Sequence, residues 1–244
     1  MNRLSYFLMT SKLLPSLSIF FPAYYDENTV EALTRSSIEI AKRLTDDYEI
    51  IIVDDKSPDK TGAIADRLAK EIKEVRVVHH LENKGIGQAM ISGYKHASKE
   101  WVFYTDGDAQ YDVSELPLFA EHTKDFDILV GYRLKRAEGL KRVFISRCFH
   151  LLILSLFGIR FKDIDCSFKL IHRRFLDKIS FYTHSGLVDA EILIQARLLK
   201  FPVKEIGVHH YPRRFGSSHC LKPRLILSML VDTFKLRFKL WKIT

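Results

Sequence analysis

Cysteine is scarce in this sequence, and the few residues present form no motif. Among 244 residues the three cysteines are Cys148, Cys166 and Cys220, which lie far apart and include no C-x-x-C pair. This scarcity favours a reducing compartment and argues against a disulfide framework or a thiolate zinc site. The chain is 47% hydrophobic, which is enough to bury a sizeable core without such cross-links.

Long hydrophobic runs are also missing. The longest candidate, "CFHLLILSLFGI", is shorter than the roughly 18 apolar residues that a bilayer-spanning helix needs. The first residues are partly apolar, but polar residues and Pro15 interrupt them and no A-x-A cleavage site follows. We therefore expect a short leader at residues 1–15, one domain over residues 16–220, and a basic, apolar C-terminal extension over residues 221–244.

Two common nucleotide-binding motifs are absent as well. No G-x-x-x-x-G-K-[ST] sequence occurs, which excludes a P-loop at the level of motif. The stretch "NKGIGQAM" follows a predicted strand and opens a predicted helix, but Met90 stands where the dinucleotide fingerprint requires glycine or alanine. Asn83, Lys84 and Gly85 then form either a basic helix entry near a nucleotide phosphate or a simple helix cap, and the motif leaves both open.

Positive charge is in excess and localised. The formal net charge is +8, with eleven Lys or Arg against three acids over residues 131–175, and six against one over residues 221–244. Such a surface attracts a polyanion, and the candidates are a nucleic acid, an anionic membrane face and phosphate groups. The alternative is a solvated basic face that has no partner.

Short apolar runs alternate with helical segments through the first half of the chain. "SLSIFFPA", "YEIIIVDD", "VRVVHH", "WVFYTD" and "FDILVGYR" are typical of strands, and the segments between them carry apolar residues at helical spacing. This alternation predicts an α/β fold with a mostly parallel central sheet and helices on both faces. In such a sheet, ligands bind beyond the carboxyl ends of the strands.

Acidic residues come in pairs where three of these strands end. They are Asp26 and Glu27, Asp54 and Asp55, and Asp106 and Asp108, with Gln110 two residues further on. One pair alone would be explained by turn formation. Three pairs at one edge would repel one another unless a cation lies among them. We therefore predict an oxygen-liganded Mg²⁺ or Mn²⁺ at Asp106, Asp108 and Gln110, sharing ligands with substrate phosphates.

Arginines follow on the same predicted edge. Arg133 comes just after the fifth strand, Arg142 and Ser146 lie in the basic segment beyond it, and Arg213 stands beside a glycine turn in "YPRRFGSS". Guanidinium groups match phosphate oxygens bidentately. Any one of these is more simply a surface residue, but together they indicate a site that handles phosphate. Nucleic acid is not expected, because the acidic pairs would repel its phosphates.

The order and spacing of these motifs resemble family 2 glycosyltransferases of the GT-A fold, in the branch of dolichol-phosphate mannose synthases and bacterial polyprenyl-phosphate glycosyltransferases. "FFPAYYDE", "VDDKSPDKT", "NKGIGQAMISGYKHA", "TDGDAQYD", "KDIDCSFKLIHRR" and "RRFGSS" are similar to the family's successive motifs. Tyr25 stands where the family usually has Asn, and Lys56 stands where it usually has Gly. The resemblance implies an inverting transferase and covers residues 16–218.

The resemblance also implies roles for individual residues. Nucleotide-sugar binding falls to Pro22, Ala23, Tyr24, Glu27, Asp54, Asp55, Lys84, Asp106, Arg213 and Ser218. By the same resemblance, the divalent metal would be bound by Asp106, Asp108 and Gln110. The acceptor phosphate would be bound by Arg133, Arg142 and Ser146. If the acceptor is a hydroxyl, a carboxylate must take its proton. Asp163, Asp165 and Glu191 are the candidates, and we favour Asp163 or Asp165.

These expectations describe an enzyme that moves a sugar from a UDP- or GDP-linked donor to a polyprenyl phosphate. It would be cytoplasmic, with peripheral contact to the cytoplasmic face of a membrane through its basic, apolar segments. One alternative is a soluble transferase of the same fold acting on a hydroxyl of a glycan, lipid or protein. Another, from a different class, is a non-catalytic nucleotide-sugar-binding module.

Overall fold

A single mixed sheet organises the part of the chain that the computed structural model describes, which is residues 12–135, 140–215 and 223–241. Within these residues the sheet has seven strands in the order β3-β2-β1-β4-β6-β5-β7. The strands are β1 (Leu17–Ala23), β2 (Tyr48–Asp54), β3 (Val75–His79), β4 (Trp101–Thr105), β5 (Ile128–Arg133), β6 (Phe168–His172) and β7 (Val203–Val208). The α/β prediction is confirmed, and the sheet is mostly parallel.

Helices cover both faces of the sheet, as the alternating sequence pattern predicts. They are α1 (Val30–Leu44), α2 (Thr61–Glu71), α3 (Ile86–His96), α4 (Leu116–Ala120), α5 (Leu140–Phe157), α6 (Arg173–Leu176), α7 (Val188–Leu198) and α8 (Pro223–Trp241). A short 3₁₀ turn, Val113–Glu115, precedes α4. None of these helices is both long enough and apolar enough to cross a bilayer.

Strand β6 is the element that sequence periodicity did not identify. It runs antiparallel to both of its neighbours, β4 and β5. Thr105 lies opposite Phe168, so the chain leading into β6 lies beside the chain leaving β4. The reversal therefore brings a second polar loop, residues 163–167, to the edge where the parallel strands end.

Alternating side chains of the strands fill two cores, one on each face. Ile19 and Phe21 of β1 point to the face covered by α1 and α2, while Phe20 points to the face of α3, α7 and α8. On that second face Phe20 contacts Tyr94 edge to face, with ring centroids 4.7 Å apart, and stacks on Tyr104 at 5.2 Å. Aromatic pairs of this geometry add to the stability gained by burial.

Helix α8, which forms most of the predicted C-terminal extension, packs on the same core. Its Thr233, Leu236 and Leu240 are buried, and the two leucines belong to the cluster that contains Phe20. The extension thus contributes to the folded domain instead of standing apart from it.

Gly93 allows α3 to approach β1 closely. A Cβ atom at this position would lie 2.0 Å from a ring carbon of Phe20, which is far inside van der Waals contact. The ring is itself confined by Tyr94 and Tyr104. The helix can therefore lie at this distance from the sheet only with glycine at position 93.

We expect Gly93→Ala to destabilise the protein by about 1–3 kcal/mol, because overpacking a filled core forces the ring or the helix to shift. Urea unfolding measures the change. Gly186→Ala is the matched control, since its added Cβ would make ordinary contacts of 3.6 and 3.9 Å with Met229. A Gly93→Ala protein as stable as the parent would contradict this packing.

Candidate functional site

A large cleft opens beyond the carboxyl ends of the parallel strands. Its volume is about 1790 Å³, and its floor includes Pro22 and Ala23 from β1, Asp55 after β2, and Asp106 after β4. Helices α5 and α8 form the opposite wall. This is the position that an open α/β sheet provides for ligands.

Five of the ten residues predicted for nucleotide-sugar binding lie together at the cleft. Pro22, Ala23, Tyr24, Glu27 and Asp55 all line it. Two hydrogen bonds connect this main chain to the loop after β2. Tyr25 N donates to Ser57 Oγ at 2.8 Å, and Lys60 N donates to the Glu27 carboxylate at 3.0 Å. The two loops therefore form one wall.

Two residues of this wall adopt a backbone conformation that costs energy. Tyr25 has φ of 61° and Lys56 has φ of 58°, both in the left-handed region. They stand at the two positions where the sequence replaces the family's usual Asn and Gly, which are the residues that adopt this region most readily. Tyr25 is half exposed and contacts Tyr24 edge to face, with ring centroids 4.8 Å apart.

Asp54 and Asp55 have different surroundings. Asp54 accepts hydrogen bonds from Ser57 N at 3.0 Å and from the His79 ring at 2.9 Å, beneath the wall. Asp55 accepts from the backbone N–H groups of Lys84 and Gly85, both at 2.8 Å. Asp54 thus fixes the loop, while Asp55 faces the cleft.

The same contacts bear on the two interpretations of "NKGIGQAM". The Asp55 carboxylate caps the entry to α3 from another part of the chain. Its two partners, the N–H groups of Lys84 and Gly85, are therefore occupied and do not face a phosphate. The exposed Lys84 side chain is not part of the cleft lining. The structure thus favours the cap and weighs against Lys84 as a nucleotide ligand.

The D-x-D-x-Q motif also lines the cleft. Asp106 accepts a hydrogen bond from the Tyr104 hydroxyl at 3.0 Å, and Asp108 forms an ion pair with Arg213. The amide nitrogen of Gln110 donates to the Tyr211 carbonyl at 2.7 Å. Gln110 therefore ties the segment that carries Arg213 to the motif through its amide nitrogen.

A third carboxylate, that of Asp26, lies close to Asp106 and Asp108. Gly107 permits the approach, because a Cβ at that position would be 2.3 Å from the Pro22 carbonyl oxygen and 2.9 Å from Asp26 Oδ2. The pKa of Asp26 is raised to about 7, mainly by burial and also by the charges of Asp108 and Asp106, while the Tyr24 amide and Arg213 oppose the shift. Negative charge is thus concentrated here beyond what Arg213 compensates.

This arrangement fits a divalent cation that shares its ligands with a substrate. Repulsion among the three carboxylates would be relieved by a cation, and carboxylate oxygens are the ligands that Mg²⁺ and Mn²⁺ prefer. Among the described residues, no three His, Cys, Asp or Glu side chains converge to hold a metal by themselves. Mg²⁺ is typically held by one or two carboxylates together with substrate phosphates.

Arg133 and Asp163 form a buried, two-pronged ion pair. Arg133 Nε donates to Asp163 Oδ2 at 2.6 Å and Nη2 donates to Oδ1 at 2.8 Å, with both side chains about 5% exposed or less. A carboxylate held in this way is a poor proton acceptor. The pair weighs against Asp163 as a general base, and Asp163 instead positions Arg133, which lines the cleft.

Asp165 lies at the cleft with its neighbours from α5. Ser146 Oγ donates to Asp165 Oδ2 at 3.4 Å, and both residues line the cleft. Burial raises the pKa of Asp165, and the Asp163 charge adds to the shift, whereas the charges of Arg133 and Lys169 oppose it. The side chain of Arg142 and the whole of Ser218 lie outside the described residues, so their predicted roles remain predictions.

His150 joins α5 to the loop that carries the two aspartates. Its Nε2 accepts the Ile164 backbone N–H at 3.1 Å, which requires the proton on Nδ1, and Nδ1 donates to the Ser146 carbonyl at 3.1 Å. A neutral ring satisfies both contacts. His150 therefore sets the position of Asp163 and Asp165 relative to Ser146.

Asp189 is a cleft residue that the sequence analysis missed. It lies in the first turn of α7, lines the cleft, and forms an ion pair with Lys169, which is fully buried. Burial raises the pKa of Asp189 to about 7; Lys169 opposes this shift, and the charges of Asp106 and Asp165 add to it. The signals in the sequence were an acid opening a helix in "LVDAE" and a lysine inside the apolar run "SFKLI".

Glu191, one of the candidate bases, has a different role. It is fully buried and accepts hydrogen bonds from Tyr182 N at 2.7 Å and from Thr183 Oγ1 at 2.6 Å. These contacts hold the loop before α7. Glu191 is therefore a structural carboxylate, and Asp189 is the acid of α7 that reaches the cleft.

The other half of the cleft is apolar. Ile145, Phe149 and Leu152 of α5 line it on one side. Ile226, Met229 and Leu230 of α8 line it on the other. The cleft therefore joins a charged end to an apolar end, with Ser146, Asp165 and Arg133 near the transition.

We expect Asp163→Ala to reduce the free energy of unfolding by about 3–5 kcal/mol, because it leaves the Arg133 guanidinium buried without its counter-charge. Urea unfolding tests this. Asp46→Ala is the control: it removes an exposed ion pair with Lys12 and should change stability by about 1 kcal/mol or less. A stable Asp163→Ala protein without activity would restore Asp163 as a candidate base.

Solved structures with this architecture include glucosyl-3-phosphoglycerate synthase from Mycobacterium tuberculosis. In complex with Mn²⁺, UDP and phosphoglyceric acid, that enzyme has a TM-score of 0.72 and 17% identity, over 91% of this chain and 78% of the other. In complex with Mg²⁺ and UDP the TM-score is 0.71 at 16% identity, over 92% and 80%. At these identities the likeness concerns the fold, which is the predicted GT-A fold.

Curated relatives include bacterial transferases. Undecaprenyl-phosphate 4-deoxy-4-formamido-L-arabinose transferase of Enterobacter sp. (strain 638) is 29% identical over 213 residues, 86% of this chain. The protein of that name from Yersinia enterocolitica is 28% identical over 219 residues, 88% of this chain. The chain spans 64% and 66% of the length of these relatives. The family model for glycosyl transferase family 2 matches residues 18–180, and the chain therefore belongs to glycosyltransferase family 2.

Proposed function

We propose that this chain is an inverting, metal-dependent glycosyltransferase that moves a sugar from a nucleotide-sugar donor to a polyprenyl phosphate. The observation that carries the proposal is the two-ended cleft. Carboxylates suited to a cation, and through that cation to a diphosphate, lie in its charged half. Apolar residues of α5 and α8 wall the other half. A lipid phosphate has these two chemistries in one molecule.

The donor would occupy the charged half. Pro22, Ala23, Tyr24, Glu27 and Asp55 would surround the nucleoside. Asp106, Asp108 and Gln110 would hold Mg²⁺ or Mn²⁺, which would supply positive charge that stabilises the departing nucleoside diphosphate. The mycobacterial structures were solved with UDP and Mn²⁺ or Mg²⁺, which supports testing a UDP-linked donor first.

Arg213 would change partners when the donor binds. In the structure its guanidinium pairs with Asp108. A cation bound by Asp108 would compete for that carboxylate and leave Arg213 to contact the diphosphate, and the predicted role of Ser218 is to join it there. Gln110 keeps Arg213 within reach by holding the Tyr211 carbonyl.

The acceptor would occupy the apolar half with its phosphate at the transition. Arg133, oriented by Asp163, and Ser146 would contact the phosphate, and Arg142 is proposed to join them. The acceptor oxygen is already anionic and needs no general base. Its attack from the face opposite the diphosphate would invert the anomeric carbon. Since such a lipid resides in a membrane, we place the enzyme at the cytoplasmic face of one, in peripheral contact. The curated relatives, named for undecaprenyl phosphate, support this acceptor class.

We expect purified protein to transfer sugar to a short polyprenyl phosphate from a UDP- or GDP-sugar with Mn²⁺, and to lose this activity in EDTA. Asp106→Asn and Asp108→Asn should each lower kcat/KM by about 10²–10³, because charge stabilisation of the leaving group is weakened. Asp112→Asn is the control in the same loop, since Asp112 caps the next turn through Ser114 N and does not line the cleft.

Donor binding measured alongside separates the alternatives. Metal-dependent binding without a lipid product would favour a hydroxyl acceptor. If the donor binds but its sugar is neither transferred to any acceptor nor released by hydrolysis, the chain is a non-catalytic nucleotide-sugar-binding module. Metal-independent transfer by the Asp108→Asn protein would contradict the proposed metal site.

One observation favours the second candidate, a transferase acting on a hydroxyl. Asp189 lines the cleft with a pKa of about 7, which suits a general base near neutral pH. The base must be deprotonated, so activity toward a hydroxyl should rise with pH and level off above about 7.

Asp189→Asn distinguishes the two acceptors. With a hydroxyl acceptor we expect it to lower kcat by about 10²–10⁴ and to abolish the pH dependence near 7. With a lipid phosphate we expect kcat to fall by about tenfold or less, because no proton need be removed. Measurement of kcat against pH for both proteins decides. A loss of more than about 10² with the lipid phosphate would show that Asp189 has another catalytic role.

A further inference from the structure

Helix α8 carries an exposed apolar stripe on the side that faces away from the cleft. Leu227 is 61% exposed, Val231 43% and Phe234 55%. Their spacing of four and three residues places them on one face of the helix. Phe238 continues the same face and is 58% exposed.

The opposite face of α8 packs on the domain and walls the cleft. Thr233 and Leu236 are buried, and Ile226 and Met229 line the apolar half of the cleft. A helix that is apolar on both faces is unusual at a water-exposed surface, because contact between its outer apolar side chains and water is unfavourable. The outer stripe therefore indicates a partner.

Cations flank the stripe on both sides. Lys235 and Arg237 are exposed and, by helical periodicity, lie on opposite sides of it, and Lys239 is also exposed. Asp232 is the one acid of α8. An apolar stripe bordered by Lys and Arg is the pattern of helices that lie in the interface of an anionic bilayer.

The neighbouring wall of the cleft has the same character. In α5, Leu151 is 65% exposed, and Arg147 is exposed one turn before it. Ile145 and Phe149 of the same helix line the cleft. Both helices that wall the apolar half therefore present apolar and basic residues outward.

We propose that the outer face of α8, comprising Leu227, Val231 and Phe234 with the cations beside them, docks onto the surface of an anionic lipid bilayer. A second copy of the chain fits less well, because pairing two such stripes would bring their flanking cations together. Docking through this face would place α8, which walls the apolar half of the cleft, on the membrane that holds the acceptor. That consequence rests on the proposed lipid acceptor, whereas the docking itself does not.

The test is co-sedimentation of the full chain with vesicles, in the absence of donor and metal. The probes are vesicles of phosphatidylcholine alone and of phosphatidylcholine mixed with phosphatidylglycerol. We expect binding to the mixed vesicles, weaker binding to the neutral ones, and a decrease with added salt. Equal binding to both, or no binding to either, would overturn the proposal.

Substitutions locate the surface. Val231→Ser with Phe234→Ser should weaken binding to the mixed vesicles by about tenfold or more, since interfacial affinity scales with buried apolar area. The matched control is Leu81→Ser with Leu118→Ser, which changes two exposed leucines outside α8 that are 92% and 47% exposed. Equal loss in both proteins, or loss in neither, would overturn the assignment to α8.

Three further measurements separate this inference from other outcomes. Thermal unfolding should be the same for both double variants, because all four side chains are exposed. Sedimentation velocity would overturn the proposal if it showed a dimer that only the α8 variant disrupts, without vesicle binding. Transfer to a short, water-soluble polyprenyl phosphate tests the proposed function independently, because the α8 variant should retain it while losing activity on acceptor embedded in vesicles.

Discussion

The antiparallel pairing of β6 with β4 is the constraint on which the rest of the site depends. Because Thr105 lies opposite Phe168, the loop before β6 and the D-x-D motif after β4 come to the same edge. A parallel β6 would have placed that loop at the other end of the sheet. The acidic motif and the residues that surround a second ligand are thus brought together by one strand direction.

That convergence creates an electrostatic problem which buried cations partly solve. Burial raises the pKa of Asp189, the charges of Asp106 and Asp165 add to this shift, and Lys169 opposes it from inside β6. Arg133 is compensated by Asp163, and Arg213 by Asp108. Each cation has a carboxylate partner, yet Asp26 retains a pKa raised by burial and by its acidic neighbours. The remaining negative charge is what makes the centre of the cleft suited to a cation.

The two helices that wall the cleft are less regular in charge and hydropathy than the sheet and its covering helices. Apolar side chains of α5 and α8 face both inward and outward. In a helix that served only the core, the outward residues would be polar. The charged half of the cleft is thus built on strand ends, whereas the apolar half is built on two helices with a second exposed face.

Local patterns determined much of this protein. Alternating apolar segments predicted the parallel strands and their helices, and the acidic pairs after β1, β2 and β4 predicted where the site would lie, because the carboxyl ends of parallel strands meet at one edge. The direction of β6 could not be predicted, since period and composition are the same for either direction. Nor could the roles of neighbouring carboxylates. Asp163 and Asp165 are two residues apart, yet one is held by Arg133 and the other faces the cleft. Asp189 and Glu191 differ in the same way. Sequence establishes which side chains carry charge, but only tertiary structure determines which partner each charge meets, because those partners come from strands and helices far away in the chain.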